Sequence, residues 1–453
     1  MRISLAPRAA FALLATLAVL AGAPARAAAP HLELEVDLDP GTRRLAARAD
    51  LVPASRDFRF ELHEALEVTA AAADGKPLRV VAAGRDGAIR GWRVALPAGA
   101  DRLHLEYGGT LPALDRKLDH RDVLQGLPPM AAPEGSFLPS GGAWYPRPAA
   151  LFAYRVTLSV PGDQRALVPG RLQSEEVPAD GAGRYRARFD FAQPADGIDL
   201  MAGPWVVREK IMPRTNGGPL RLRTYFFRDL DAIPGLADGY LDDTRRYLER
   251  YGEEIGAYPF TEFSVVASPL PTGFGMPTLT YIGADVLKLP FIRATSLGHE
   301  VLHNWWGNGV YVDYAKGNWS EGLTTFMADY AYKEGESAAA AREMRGGRLR
   351  QGGDAVRHAA RRHRRGSLPP RHPRLLAGAA LPYRLLERPA GGLRARLRQA
   401  ARCVLPAVAR PCRRPGGEDR RRGSEPRSRT HAPDAHGGAE CARLRPAPAG
   451  RDR

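Results

Sequence analysis

The chain has little cysteine. Three occur in 453 residues, at Cys403, Cys412 and Cys441, so the first 402 residues carry none. That excludes a disulfide framework for the N-terminal three quarters, which must rely on a packed core. Long apolar runs are missing too: after Ala21 no stretch approaches the roughly 20 apolar residues of a membrane-spanning helix, so no membrane span is expected. The most complete absence lies in residues 346–453, which contain no Phe, Trp, Ile, Met, Asn or Lys and one tyrosine, Tyr383. Such a segment lacks the large apolar side chains that offset chain entropy, and disorder is expected of it.

Positive charge is confined to the same segment. The net charge of +16 suggests a nucleic-acid or anionic partner, but 346–453 hold 27 Arg against 8 acidic residues. Residues 1–345 hold 39 basic and 42 acidic residues, so the body of the chain is close to neutral and no specific nucleic-acid partner is expected. Polyarginine alone gives only salt-sensitive, non-specific binding.

At the N-terminus, Arg2 and Arg8 precede an apolar run from Ala9 to Ala21, and Ala25-Arg26-Ala27 follows. Residues 1–27 read as a secretory signal peptide, so a secreted or periplasmic protein is expected. Residues 31–38 then alternate apolar and polar, the pattern of a half-buried strand. Short runs of similar character recur at 58–62, 78–82, 103–107, 154–160 and 185–191, separated by turn residues such as Asp39-Pro40-Gly41 and Asp74-Gly75. Residues 28–205 therefore read as an antiparallel β domain, a saddle or sandwich. A further strand is expected at 220–227, a helix at 233–255 carrying Leu236, Tyr240, Tyr247 and Tyr251 at helical spacing, and a buried strand at 263–267.

The chemistry is concentrated in residues 295–332. His299-Glu300-Val301-Leu302-His303 is followed, after seventeen residues, by Glu321. Residues four apart share a helix face, so His299 and His303 can reach one metal ion together. Glu321, at the start of a second helical stretch capped by Asn318, can supply a third ligand. Three protein ligands with one position left open is the arrangement of a catalytic zinc site, and one Zn²⁺ is expected. Glu300, beside the histidines, is the candidate general base toward a zinc-activated water.

HEVLHNWWGN followed by NWSEGLTTFMADY resembles the M1 family of zinc metallopeptidases, whose pattern is HExxH, eighteen residues, then Glu. The chain is one residue shorter between the two, which leaves each helix in its own register if the missing residue falls in the loop 312–317. The resemblance implies a thermolysin-like, mainly helical catalytic domain over 206–345, giving an α+β chain overall. It also implies a peptide substrate beside Gly273, Phe274, Gly275 and Met276, where the family carries its GxMEN edge strand. The family's glutamate after Met, which grips the substrate's amine, has no counterpart, because Pro277 and Thr278 follow Met276. Residues 135–146 and 201–205 also resemble family sequences, as core and loop or as substrate contacts.

The tail reads in one of two ways. It is a basic disordered extension, or it is the out-of-frame translation of a GC-rich gene, since Arg, Ala, Gly and Pro supply 71 of its 108 residues. Codons for 348–354 read one base later can spell Gly-Tyr-Gly-Lys-Ala-Ala-Met. That resembles the tyrosine-bearing helix that M1 enzymes carry downstream of their metal site, and no oxyanion-stabilising tyrosine is assigned within this frame. The functional expectation is an aminopeptidase-like zinc metallopeptidase. The alternative is a truncated or inactive relative that binds zinc without turnover.

Overall fold

The computed structural model describes residues 30–330 apart from 124, 180, 215–217 and 315–317, together with residue 337. The signal-peptide reading and the tail lie outside the described residues. Among the described residues no helix is long and apolar enough to cross a membrane.

The first half is β structure because its sequence alternates. In His31–Asp39 the side chains of Leu32, Leu34, Val36 and Leu38 point inward, and in Phe152–Pro161 those of Phe152, Tyr154, Val156, Leu158 and Val160 do. These two strands lie at the centre of an eight-stranded sheet. Contrary to the antiparallel expectation, they run parallel, His31 opposite Ala153, while His31–Asp39 pairs antiparallel with Arg44–Val52 on its other edge. Alternation cannot distinguish the two pairings, because both present every second side chain to one face. Two three-stranded sheets complete this half.

In the second half, the helices expected of it pack with a sheet that supports them. The described part of this half is built on a five-stranded mixed sheet, in the order Trp205–Met212, Leu220–Phe227, Glu262–Ser268, Leu279–Gly283, Gly273–Met276. Glu262–Ser268 is buried at every residue, as expected of a strand with neighbours on both edges and cover on its faces. Gly273–Met276 has one partner, Leu279–Gly283, and forms the sheet's free edge. The helix Leu236–Glu254 buries Tyr240, Leu241, Tyr247, Leu248 and Tyr251, one stripe at helical spacing.

That helix is the platform for the helix Ser296–Leu302, which carries His299 and Glu300. Gly298 rests on the Tyr247 ring, where an added Cβ would lie 2.8 Å from it. Trp305 packs edge-on against Tyr251, with ring centroids 6.0 Å apart. Its indole N–H donates to the Gly256 carbonyl at 3.1 Å. Truncating a buried aromatic side chain such as Trp305 to alanine costs roughly 3–5 kcal/mol, so this short helix is held by packing rather than by its own length.

Candidate metal centre

His299 lies inside Ser296–Leu302 and His303 caps its C-terminal end, still in helical conformation. Glu321 sits in the first turn of a second helix, Trp319–Thr325, where Asn318 caps the end by accepting the Glu321 N–H at 3.2 Å. The two imidazole Nε2 atoms are 3.1 Å apart. Glu321 brings one oxygen to 3.2 Å from His299 Nε2 and the other to 3.4 Å from His303 Nε2. These three side chains form a donor cluster with all ligand atoms within 4.8 Å of one another. The shorter spacing between the helices therefore does not prevent convergence.

The donor set fits zinc on two grounds. Each imidazole has its other nitrogen engaged: His303 Nδ1 contacts the Trp306 carbonyl at 3.0 Å, and His299 Nδ1 lies 3.5 Å from an Asp329 oxygen. Those acceptors fix the Nδ1–H tautomer and leave both Nε2 lone pairs facing Glu321. The electrostatics agree. Burial works against charge on His299, yet the Asp329 and Glu321 carboxylates outweigh it and raise the group to about 10. His303 is also raised, by Glu321 and Glu300 against burial, and the two histidines hold Glu321 well below the usual carboxylate range. The pocket demands positive charge at the Nε2 atoms, and a divalent cation there supplies it.

Asp329 was not singled out in the sequence, for a local reason. In an α-helix, positions seven apart share a face, which would align Glu321 with Ala328. The second helix turns into a π-helical segment over Phe326–Tyr330, and the extra residue in that turn brings Asp329 round to the metal side.

Glu300 sits where the edge strand meets the ligand helix. Gly275 abuts it so closely that a Cβ there would lie 2.4 Å from Glu300 Oε2 and 3.4 Å from His303 Cδ2. Burial pushes the Glu300 carboxyl up, against the downward pull of the two histidines. Of the four strand residues, Gly273 has open space at its Cβ position, Phe274 stacks on Phe137 with centroids 5.8 Å apart, and Met276 is buried. So Gly275 is the one shown to meet Glu300.

Pro277 and Thr278, which follow Met276, form the turn of this hairpin. Thr278 holds a left-handed φ of 67° and is 4% exposed. Its hydroxyl accepts the Gly170 N–H at 2.9 Å. Within 135–146 and 201–205, Phe137, Trp144, Tyr145 and Trp205 are buried core residues, and Phe137 packs against Phe274 and Tyr281 of the hairpin. Tyr311 donates to the Pro194 carbonyl at 2.7 Å, and Tyr314 is exposed.

No family model matches the sequence, and no curated protein matches it. Solved structures do. One is the M1 zinc metallopeptidase from Deinococcus radiodurans, at 21% identity and a TM-score of 0.53 over 68% of this chain and 70% of that one. A Glu-to-Ala variant of that enzyme bound to a Tyr-Ser-Ala substrate matches at 21% identity and 0.54, over 70% and 73%. The same variant in a separate structure matches at 22% and 0.53, over 76% of each chain. The chain therefore has the fold of the M1 zinc metallopeptidases.

Proposed function

We propose that the chain is a zinc-dependent metallopeptidase, aminopeptidase-like, in which His299, His303 and Glu321 hold one zinc ion and Glu300 is the general base. The observation that supports it best is the convergence of those three side chains on one point, with Glu300 buried beside them. When bound, zinc supplies Lewis acidity toward a peptide carbonyl and acidifies water. The chain's own part is to move the proton and to hold the substrate. Glu300 accepts the proton of the attacking water and hands it to the leaving amine. Its burial favours this, since a carboxylate above its ordinary range is a better base near neutral pH.

The substrate backbone lies along the free edge of Gly273–Met276, adding a strand to the sheet. In a two-residue hairpin the pair flanking the turn, Met276 and Leu279, is hydrogen-bonded inward, so Gly275 directs its N–H and C=O outward. A peptide paired with Gly275 is thereby presented to Glu300. Asp329 and the Trp306 carbonyl keep the imidazoles oriented.

A second reading, zinc binding without turnover, draws support from Pro277-Thr278, where no carboxylate is present to grip a substrate amine. Hydrolysis of Tyr-Ser-Ala with and without chelator, with zinc measured on the same sample, decides between them. Turnover lost on chelation and restored by zinc supports the enzyme; stoichiometric zinc with no turnover supports the second reading. Export, peptide partners and the out-of-frame origin of 346–453 belong to the same proposal. The genomic nucleotide sequence around codons 340–360 tests the last of these, and the same frame intact in related strains would refute it.

A further inference from the structure

Asn304 follows His303 directly and is fully buried. Its side-chain amide faces two directions. Oδ1 accepts the backbone N–H of Thr278 at 2.8 Å and lies 3.1 Å from the Tyr258 hydroxyl. Nδ2 donates to the Val301 carbonyl at 3.3 Å and reaches toward that of Glu300 at 3.5 Å. The orientation of the amide follows from its partners, because a backbone N–H can only donate and a carbonyl can only accept.

Thr278 is the second residue of the two-residue turn that joins Gly273–Met276 to Leu279–Gly283. Its left-handed φ is unusual for a β-branched residue, so the turn needs outside support. That support comes from the Gly170 N–H on its hydroxyl, from the Ser264 N–H on its carbonyl at 2.9 Å, and from Asn304 on its N–H. Of the three, only Asn304 belongs to the segment that bears Glu300 and the histidines. It therefore ties the hairpin carrying Gly275 to the helix carrying the base. The seat between Gly275 and Glu300 is too tight for one added carbon, so a loose tie alters it directly.

We propose that Asn304 is a positioning residue: it sets the gap between the substrate-pairing strand and Glu300. The inference rests on the metallopeptidase reading for its catalytic meaning, but its geometric content is separable. Asparagine suits the place because it offers an acceptor and a donor without charge. Leucine would fill the space and leave the Thr278 N–H unpaired. Serine would turn its hydroxyl back to the helix carbonyls, too short to reach Thr278.

The test uses the full zinc-loaded chain and the variants Asn304→Leu and Asn304→Ser, the second guarding against a folding failure of the first. Amide hydrogen exchange across 273–279 is expected to rise about tenfold or more while zinc stays stoichiometric. Affinity for Tyr-Ser-Ala, measured in a Glu300→Gln background to prevent turnover, is expected to weaken about tenfold, whereas a leucine arylamide too short to span the strand loses far less. A merely structural role would lower the melting temperature and leave the ratio between the two ligands unchanged. If no peptide is hydrolysed by the parent, the metallopeptidase reading fails, while the exchange comparison still decides the role of Asn304. Unchanged exchange across 273–279 in a zinc-loaded variant overturns it.

Discussion

Replacing Gly275 with alanine isolates the seat of the base. Gly275 does not occupy the left-handed region, so the backbone tolerates alanine and the only cost is contact. The new Cβ would sit 2.4 Å from Glu300 Oε2, where ordinary contact begins near 3.4 Å. Either the carboxylate or the strand must retreat by about 1 Å, and a misplacement of that size costs on the order of 10²-fold in rate. That corresponds to about 2.7 kcal/mol of transition-state stabilisation. The expected result for Gly275→Ala is kcat down roughly 100-fold with zinc retained, because the Cβ meets His303 at ordinary contact distance, 3.4 Å from Cδ2, and has neither His299 nor Glu321 among its nearest atoms. Gly273→Ala, with open space at its Cβ, is expected to move KM rather than kcat. Steady-state kinetics on Tyr-Ser-Ala, with zinc quantified per chain, reads both. A kcat for Gly275→Ala within about threefold of the parent, zinc bound, would refute the placement of Glu300 as base at this strand.

Three further outcomes follow from the same geometry. Glu300→Gln keeps the shape of the side chain but cannot take a proton, so zinc content should hold at one equivalent while kcat falls about 10²–10⁴-fold; turnover near the parent rate would reject Glu300. Asp329→Asn weakens the acceptor on His299 Nδ1, and zinc affinity in a competition titration should drop about 10–100-fold with the fold intact; unaltered affinity would remove Asp329 from the metal centre. Glu262 gives a pH dependence of stability: burial raises its carboxyl to about 7 from the ordinary 4.5, although the Leu172 N–H donates to it at 2.9 Å and Arg221 lies 3.6 Å away. Between those values the folded chain holds a proton that the unfolded chain has lost, so stability falls as pH rises from about 4.5 to about 7 and is level above. The size is up to roughly 3 kcal/mol at about 1.4 kcal/mol per pKa unit. Glu262→Gln should flatten that slope in denaturant midpoints measured at pH 5 and pH 8, and an unchanged slope would place its origin elsewhere.

Much of this protein was determined by the sequence alone. Strict alternation in residues 31–38 and 154–160 specifies half-buried strands, since strand geometry sends every second side chain to one face. The 299–303 spacing specifies two imidazoles on one helix face, and Asn318 ahead of Glu321 specifies where the next helix starts. Those are short-range consequences of backbone geometry. What only the tertiary structure decided involves residues far apart in the chain. The parallel pairing of 31–39 with 152–161 leaves no trace in either segment, because register and direction are chosen by partners. Single strands of the five-stranded sheet at 220–227, 263–267 and 273–276 were legible, but their order and their mixed directions were not, because pairing is chosen by partners far apart in the chain. Asp329 reaches His299 through a π-helical turn that shifts its face by one residue, which helical periodicity alone would assign to Ala328. Gly275 against Glu300 and Asn304 against Thr278 are contacts between a hairpin and a helix, and the lack of room for even one carbon at Gly275 arises only where the packed fold brings the two together.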